Sequence, residues 1–280
     1  MGLHGIRKTC WNLEPDSVKS QFMGSDFQQL VQVARQVIDT DVLLGVEHFA
    51  RGLDALPPVK VRKPAGKPPV GGANKRREYG PVTDKAKALD ELRNKELREC
   101  ACCGLNQTRK NLVFGEGDAN AQLMIIGEAP GEDEDLTGRP FVGRAGKLLD
   151  QMISAMGLSR SQVYIANVLK CRPPDNRPPR PEEVAVCAPF LFRQIQIIQP
   201  KVILALGNPA VHTLLGKSGI TRLRGQWHEL PEHAEGIGGI PVMPTYHPSY
   251  VLRNYTTKTR GEVWQDLQAV MARLGIKKPG

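Results

Sequence analysis

No apolar run in this 280-residue chain approaches the roughly 20 residues that a membrane-crossing helix needs, so no membrane partner is expected. The opening MGLHGIRKTC holds no apolar stretch suited to a secretory leader, and Ile6 stands where a myristoylation signal wants Ser or Thr. Both points favour a cytoplasmic, nucleoid-associated protein. No second C-x-x-C accompanies Cys100 and Cys103, which argues against a zinc ribbon built from two tight knuckles. Between Lys60 and Arg77 there is no acid at all.

A length of 280 residues and a hydrophobic content of 40% suffice for a full core. The formal charge of +9 favours a polyanionic partner such as nucleic acid. Six cysteines in a reducing compartment point to metal or cluster ligands, or to buried thiols, rather than to disulfides.

Three regions are expected. Residues 1–56 form a helical extension: SDFQ at Ser25 to Gln28 has the capping-box pattern, and Phe27, Leu30, Val31, Ala34, Val37 and Ile38 follow helical spacing. Its expected role is to dock another protein or to pack on itself. Residues 57–82, rich in proline, glycine and basic side chains, form a flexible linker able to slide on phosphates. Residues 83–280 carry the catalytic pattern. There TDKAKALDELRNKELREC predicts an exposed helix delivering Cys100. The segments AQLMIIG, QVYIANVL, PKVILALG and IPVMPTYHP read as strands. Between them GRAGKLLDQMISAM, PEEVAVCAPFLFRQIQIIQ and NPAVHTLLG read as helices, with Pro189 expected to disturb the second locally. Apolar strands alternating with helices imply an α/β fold, a central, mainly parallel sheet flanked by helices. Functional groups in such sheets gather at the strand carboxyl ends, here after Ile126, Asn167 and Tyr246.

Cys171 and Cys187 stand alone, far from the C-x-x-C of Cys100 and Cys103. This spacing suits an iron–sulfur cluster, and equally a set of unrelated buried thiols. The stretch MIIGEAPGEDEDLTGRPFVG poses a second puzzle, because Glu128, Glu132, Asp133, Glu134 and Asp135 crowd together in a basic protein.

The motifs ECACCGL, FGEGDANAQLMIIGEAPG, GRPFVGRAGKLL, NVLKCRPPDNRPPRPEE, KVILALG and YHPSYVLRN follow one another in that order. From about Glu99 to about Leu274 the chain resembles the iron–sulfur branch, family 4, of the uracil-DNA glycosylases. The resemblance implies a uracil-DNA glycosylase-like fold and a [4Fe-4S] cluster on Cys100, Cys103, Cys171 and Cys187. It implies hydrolysis of the N-glycosidic bond of uracil flipped from single- or double-stranded DNA, leaving an abasic site. A monomer is expected. No obvious lysine nucleophile is present, so no strand-cleaving lyase step is expected.

By motif, Phe141 matches the stacking aromatic, Asn167 the amide reading the uracil edge, and His247 the donor to the departing O2. Gly127, Glu128 and Ala129 complete the base-binding set. In sister branches the position of Ala129 holds a water-orienting side chain. That role cannot fall to alanine, so Glu134 is ranked first as the carboxylate near the sugar and Glu128 second, with Glu132, Asp133 and Asp135 as solvated or loop-capping residues. Arg139, Arg144, Arg172, Arg177 and Arg253, with Lys147 and Arg180, are candidates for phosphate contacts. Tyr250, with Val251 and Leu252, is the candidate wedge at the DNA surface. The competing readings are a sister glycosylase with broader deaminated-base substrates and a non-enzymatic iron–sulfur DNA-binding or redox module. A branch that attacks DNA through a histidine is disfavoured, since CRPPDNRPPRPEE contains none.

Overall fold

A computed structural model describes residues 84–231 and 237–277. The helical extension, its docking role and the basic linker expected over residues 1–82 lie outside the described residues.

The first helix, α1 (Lys85–Glu91), starts at Asp84, whose carboxylate accepts the Lys87 amide at 3.0 Å, and widens into a π-turn over Leu92–Leu97. It was expected to be exposed, yet Leu89 of the regular helix and Leu92 and Leu97 of the π-turn are all buried in the core. Then come β1 (Glu116–Gly117), β2 (Leu123–Gly127), α2 (Glu132–Thr137), α3 (Arg144–Ala155) and β3 (Tyr164–Asn167). They are followed by α4 (Pro181–Ile198), β4 (Val202–Leu206), α5 (Asn208–Leu215) and α6 (Ile220–Leu223). The chain ends with β5 (His228–Glu229), β6 (Pro241–Thr245), α7 (Pro248–Arg253) and α8 (Thr257–Leu274).

The six strands lie in the order β1-β3-β2-β4-β6-β5. The central four are parallel, and the two-residue edge strands β1 and β5 are antiparallel. Strands β2, β3 and β4 are buried throughout, as near-continuous apolar runs require when helices cover both faces. Along β2, Met124 and Ile126 join the core with α1, α4 and α5, while Leu123 and Ile125 face the core formed with α3 and α8. The period of two thus divides one strand between two hydrophobic layers. Helix α4 continues through Pro189.

From β2 the chain crosses to β3 on one side, and β4 then pairs on the other side of β2. Their loops part at the carboxyl ends, leaving a crevice at the topological switch point. Arg224 and Thr245 both bond the buried Asp266 of α8, at 2.5 and 2.6 Å, tying the end of β6 to that helix just before His247. Among the described residues no helix is long and apolar enough to cross a membrane.

Candidate active site

A cavity of about 490 Å³ opens at these carboxyl ends. Glu128, Ala129, Gly131 and Glu134 line it after β2, Phe141 and Ala145 around the start of α3, and Asn167 at the end of β3. Pro173, Asn176, Arg177 and Pro178 close one side, and His247, Ser249 and Arg253 the other. The three loops singled out from the sequence therefore converge.

The parallel register sets Gly127 beside Asn167. A Cβ on Gly127 would lie 2.4 Å from the Phe141 ring and 2.5 Å from Asn167 Oδ1, so the glycine makes room for both groups. Asn167 is 2% exposed, its main-chain carbonyl accepts from Lys170 Nζ at 2.7 Å, and its buried Oδ1 has no hydrogen-bond partner among the described residues. A buried amide oxygen left unpaired is costly, and here it belongs to a residue lining a cavity. The Phe141 ring stands 5.6 Å from the His247 ring at an angle of 36°.

His247 caps α7. Its Nδ1 accepts the Ser249 amide N–H at 3.1 Å and lies 2.7 Å from the Ser249 hydroxyl. An accepting Nδ1 places the proton of the neutral ring on Nε2, leaving that N–H free to donate. Burial, reinforced by the Arg253 guanidinium, pulls the His247 pKa down to about 4. The ring is therefore neutral at physiological pH.

The two carboxylates differ. Among the described residues the Glu128 side chain has no hydrogen-bond or ion-pair partner, and burial raises its pKa above the usual carboxylate range. Glu134 instead accepts the main-chain N–H groups of Gly131, Val142 and Gly143 at 3.0, 2.8 and 2.9 Å. The stretch expected to be an acidic loop is the short helix α2, whose first turn carries Glu132, Asp133, Glu134 and Asp135. Carboxylates crowd there because a helix N-terminus favours negative charge. Asp135 is 2% exposed rather than solvated, and it caps the Lys110 and Asn111 amides at 2.9 and 3.3 Å.

The basic candidates separate just as clearly. Arg139 is paired with Glu116 at 2.7 Å, and Arg177 grips Glu183 through both terminal nitrogens at 2.9 and 2.5 Å. Arg172 bonds Asn176 at 2.8 Å and approaches Glu132 at 3.9 Å. Arg144 and Arg253 have no acidic partner among the described residues; Lys147 and Arg180 are exposed. Tyr250 is partly exposed and stacks on Tyr246, centroids 4.8 Å apart.

Cys100, Cys103, Cys171 and Cys187 are the free thiols among the described residues. They come from the end of the α1 region, the loop after β3 and helix α4, and they feel one another electrostatically. Cys171 Sγ accepts from Arg109 at 3.0 Å, and Cys187 Sγ from the Lys170 amide at 3.3 Å. N–H donors and a guanidinium aimed at sulfur are what thiolate ligands of a cluster require. Among the described residues no three His, Cys, Asp or Glu side chains are spaced to hold a single metal ion. In a cubane each thiolate would bind a different iron, so a single-ion spacing is not what such a donor set asks for.

A family model for the Uracil DNA glycosylase superfamily matches residues 114–268. The type-4 uracil-DNA glycosylase of Thermotoga maritima is 45% identical over 194 residues, covering 69% of this chain and 97% of that protein. The chain belongs to the type-4 uracil-DNA glycosylases. The type-4 uracil-DNA glycosylase of Archaeoglobus fulgidus is 42% identical over 197 residues, covering 69% of this chain and 96% of its own. A type-5 uracil-DNA glycosylase from Pyrobaculum aerophilum is more distant, 33% identical over 165 residues, covering 52% of this chain and 71% of that protein. The motifs singled out Phe141, Asn167 and His247, and the fold brings the three to one cavity. Sequence reasoning missed Ser249, which sets the His247 tautomer, and Arg160, which holds the backbone at Phe141. Ser249 acts through its own main-chain N–H and Arg160 through the carbonyls of a distant turn, so neither residue's type signals its part.

Proposed function

We propose that this protein is a monofunctional DNA-repair hydrolase that removes uracil from DNA and leaves an abasic site. The observation that carries the reading is the buried Asn167 Oδ1, unpartnered among the described residues, beside Phe141 and a neutral His247. Uracil offers an N3–H donor and an O4 acceptor side by side. An amide answers both, Oδ1 accepting and Nδ2 donating, whereas cytosine presents the opposite pair. Uracil flipped out of the stack lies against Phe141 in this reading.

As the C1′–N1 bond breaks, its electron pair moves onto uracil and O2 gains charge. The His247 Nε2–H donates to that oxygen, and a hydrogen bond that strengthens as charge develops lowers the barrier. The sugar becomes cationic. Glu128 is assigned to stabilise it and hold the water whose oxygen bonds C1′ as one O–H bond breaks, that proton ending on the departed uracil anion, because its carboxylate is unpartnered among the described residues and lines the cavity. Glu134 is assigned to the backbone around Phe141, because its oxygens already bind three amides. This reverses the order expected from the sequence. Arg144 and Arg253 are assigned to flanking phosphates ahead of Arg139, Arg172 and Arg177, which are engaged with acids or amides.

Cys100, Cys103, Cys171 and Cys187 are assigned to a [4Fe-4S] cluster. Such a cluster would tie together the end of the α1 region, the loop after β3 and α4, which carry these cysteines. Iron and acid-labile sulfide measured on purified protein should approach four of each per chain, and a colourless, iron-free active protein would sink this assignment.

The function is tested on single- and double-stranded uracil oligonucleotides. His247→Ala should lose about a hundredfold or more in rate. Asn167→Asp should weaken uracil excision and shift preference toward cytosine. Wild-type activity in both variants would refute the site; an inactive wild type would refute the function.

A further inference from the structure

The Phe141 backbone is unusual. Its φ is +52°, a left-handed conformation that a bulky side chain rarely adopts, and the ring that this turn presents lies against Gly127 in the cavity. Something must hold it there. Glu134 binds the N–H groups on one side, of Val142 and Gly143. On the other side, Arg160 donates to the carbonyls of Pro140 and Phe141, the latter at 3.0 Å. The loop is therefore clamped by an anion on its amides and a cation on its carbonyls. Gly146 completes the seat, since a Cβ there would fall 1.9 Å from the Phe141 carbonyl oxygen.

Arg160 is itself fixed. Its Nε donates to Glu116 Oε1 at 2.5 Å and its terminal nitrogen to Asp150 at 2.8 Å, and its side chain is 19% exposed. It lies in the turn before β3 and does not line the cavity. Two carboxylates would neutralise a single surface arginine more than fully, but here its fork is also spent on two carbonyls of one strained turn. A planar guanidinium satisfies several acceptors in a fixed geometry, which the point charge of a lysine cannot do.

We propose that Arg160, oriented by Glu116 and Asp150, is a positioning residue for base stacking: it holds Phe141 in the left-handed turn that presents its ring to the flipped base. The proposal deepens the uracil-excision reading and rests on it. Arg160 touches neither the base nor the sugar, so it acts only through Phe141.

The test is a double-mutant cycle on a single-stranded uracil oligonucleotide, comparing wild type, Arg160→Gln, Phe141→Leu and the pair. Inhibition by free uracil serves as a second readout, because it reports stacking without chemistry. Arg160→Gln should lower kcat/KM about tenfold and weaken inhibition by uracil by a similar factor. In the Phe141→Leu background the same change should cost less than about twofold. Equal losses in both backgrounds, or unchanged inhibition by uracil, would overturn the proposal. Should Arg160→Gln not fold, Glu116→Gln removes one anchor and keeps the guanidinium. It should lose about threefold, again only when Phe141 is present. An additive loss there also overturns it. A wild type that leaves uracil in place would overturn the functional reading itself, an outcome distinct from additive losses in an active enzyme.

Discussion

At the scale of single residues, His247 illustrates how a neighbour sets a proton. The Ser249 amide occupies Nδ1, so the neutral ring can donate only from Nε2, the nitrogen that its proposed role uses. Its pKa of about 4 lies below the ordinary value of about 6.5, so the unfolded chain binds more protons than the folded one between these limits. The stability that the neutral ring contributes is complete above about pH 6.5 and is lost as pH falls toward 4. Melting of wild type and His247→Gln across this range should converge on acidification. Likewise, kcat/KM should show no ionisation near pH 6.5 from this group, and a break there abolished in His247→Gln would contradict the assignment.

At the scale of elements, the acid-rich stretch resolves into division of labour. Helix α2 accepts four carboxylates in its first turn because its N-terminal amides favour them, and two of those side chains then reach out to cap neighbouring backbone. Glu134→Ala would strand three amide donors and should destabilise the fold by about 1–3 kcal/mol, read as a lower melting temperature. Glu128→Gln should leave melting unchanged and lower kcat. If instead Glu134→Ala melted like wild type while Glu128→Gln kept full kcat, the two carboxylates would have to exchange roles. The sheet strands were legible as apolar runs bounded by glycine or asparagine. The edge strands β1 and β5, two residues each, were not, since two residues display no period. The buried face of α1 was also missed, because Leu92 and Leu97 stand five residues apart, the spacing of the π-turn that carries them.

At the scale of the molecule, net charge alone would assign every arginine near the cavity to DNA. The fold withdraws most of them: Arg139 and Arg177 are spent on Glu116 and Glu183. Replacing Arg144 or Arg253 by alanine should reduce the slope of log binding against log salt by about one each. Arg139→Ala should scarcely change it. Titration of a uracil oligonucleotide at several salt concentrations checks this, and a steeper effect at Arg139 than at Arg144 would contradict it.

The order of motifs along the chain determined the family, the crevice at the strand ends and the three residues Phe141, Asn167 and His247 that meet in it. Those depend on local signals: apolar runs that must be buried, glycines at strand ends, and side chains whose chemistry suits one base edge. Only the tertiary structure decided which charged groups remain available. Whether Glu128 or Glu134 is free, and which arginines are already paired, depends on partners distant in sequence and on backbone amides that every residue carries alike. Arg160 is the clearest case, since nothing in its own segment foretells that it will grip the turn behind Phe141.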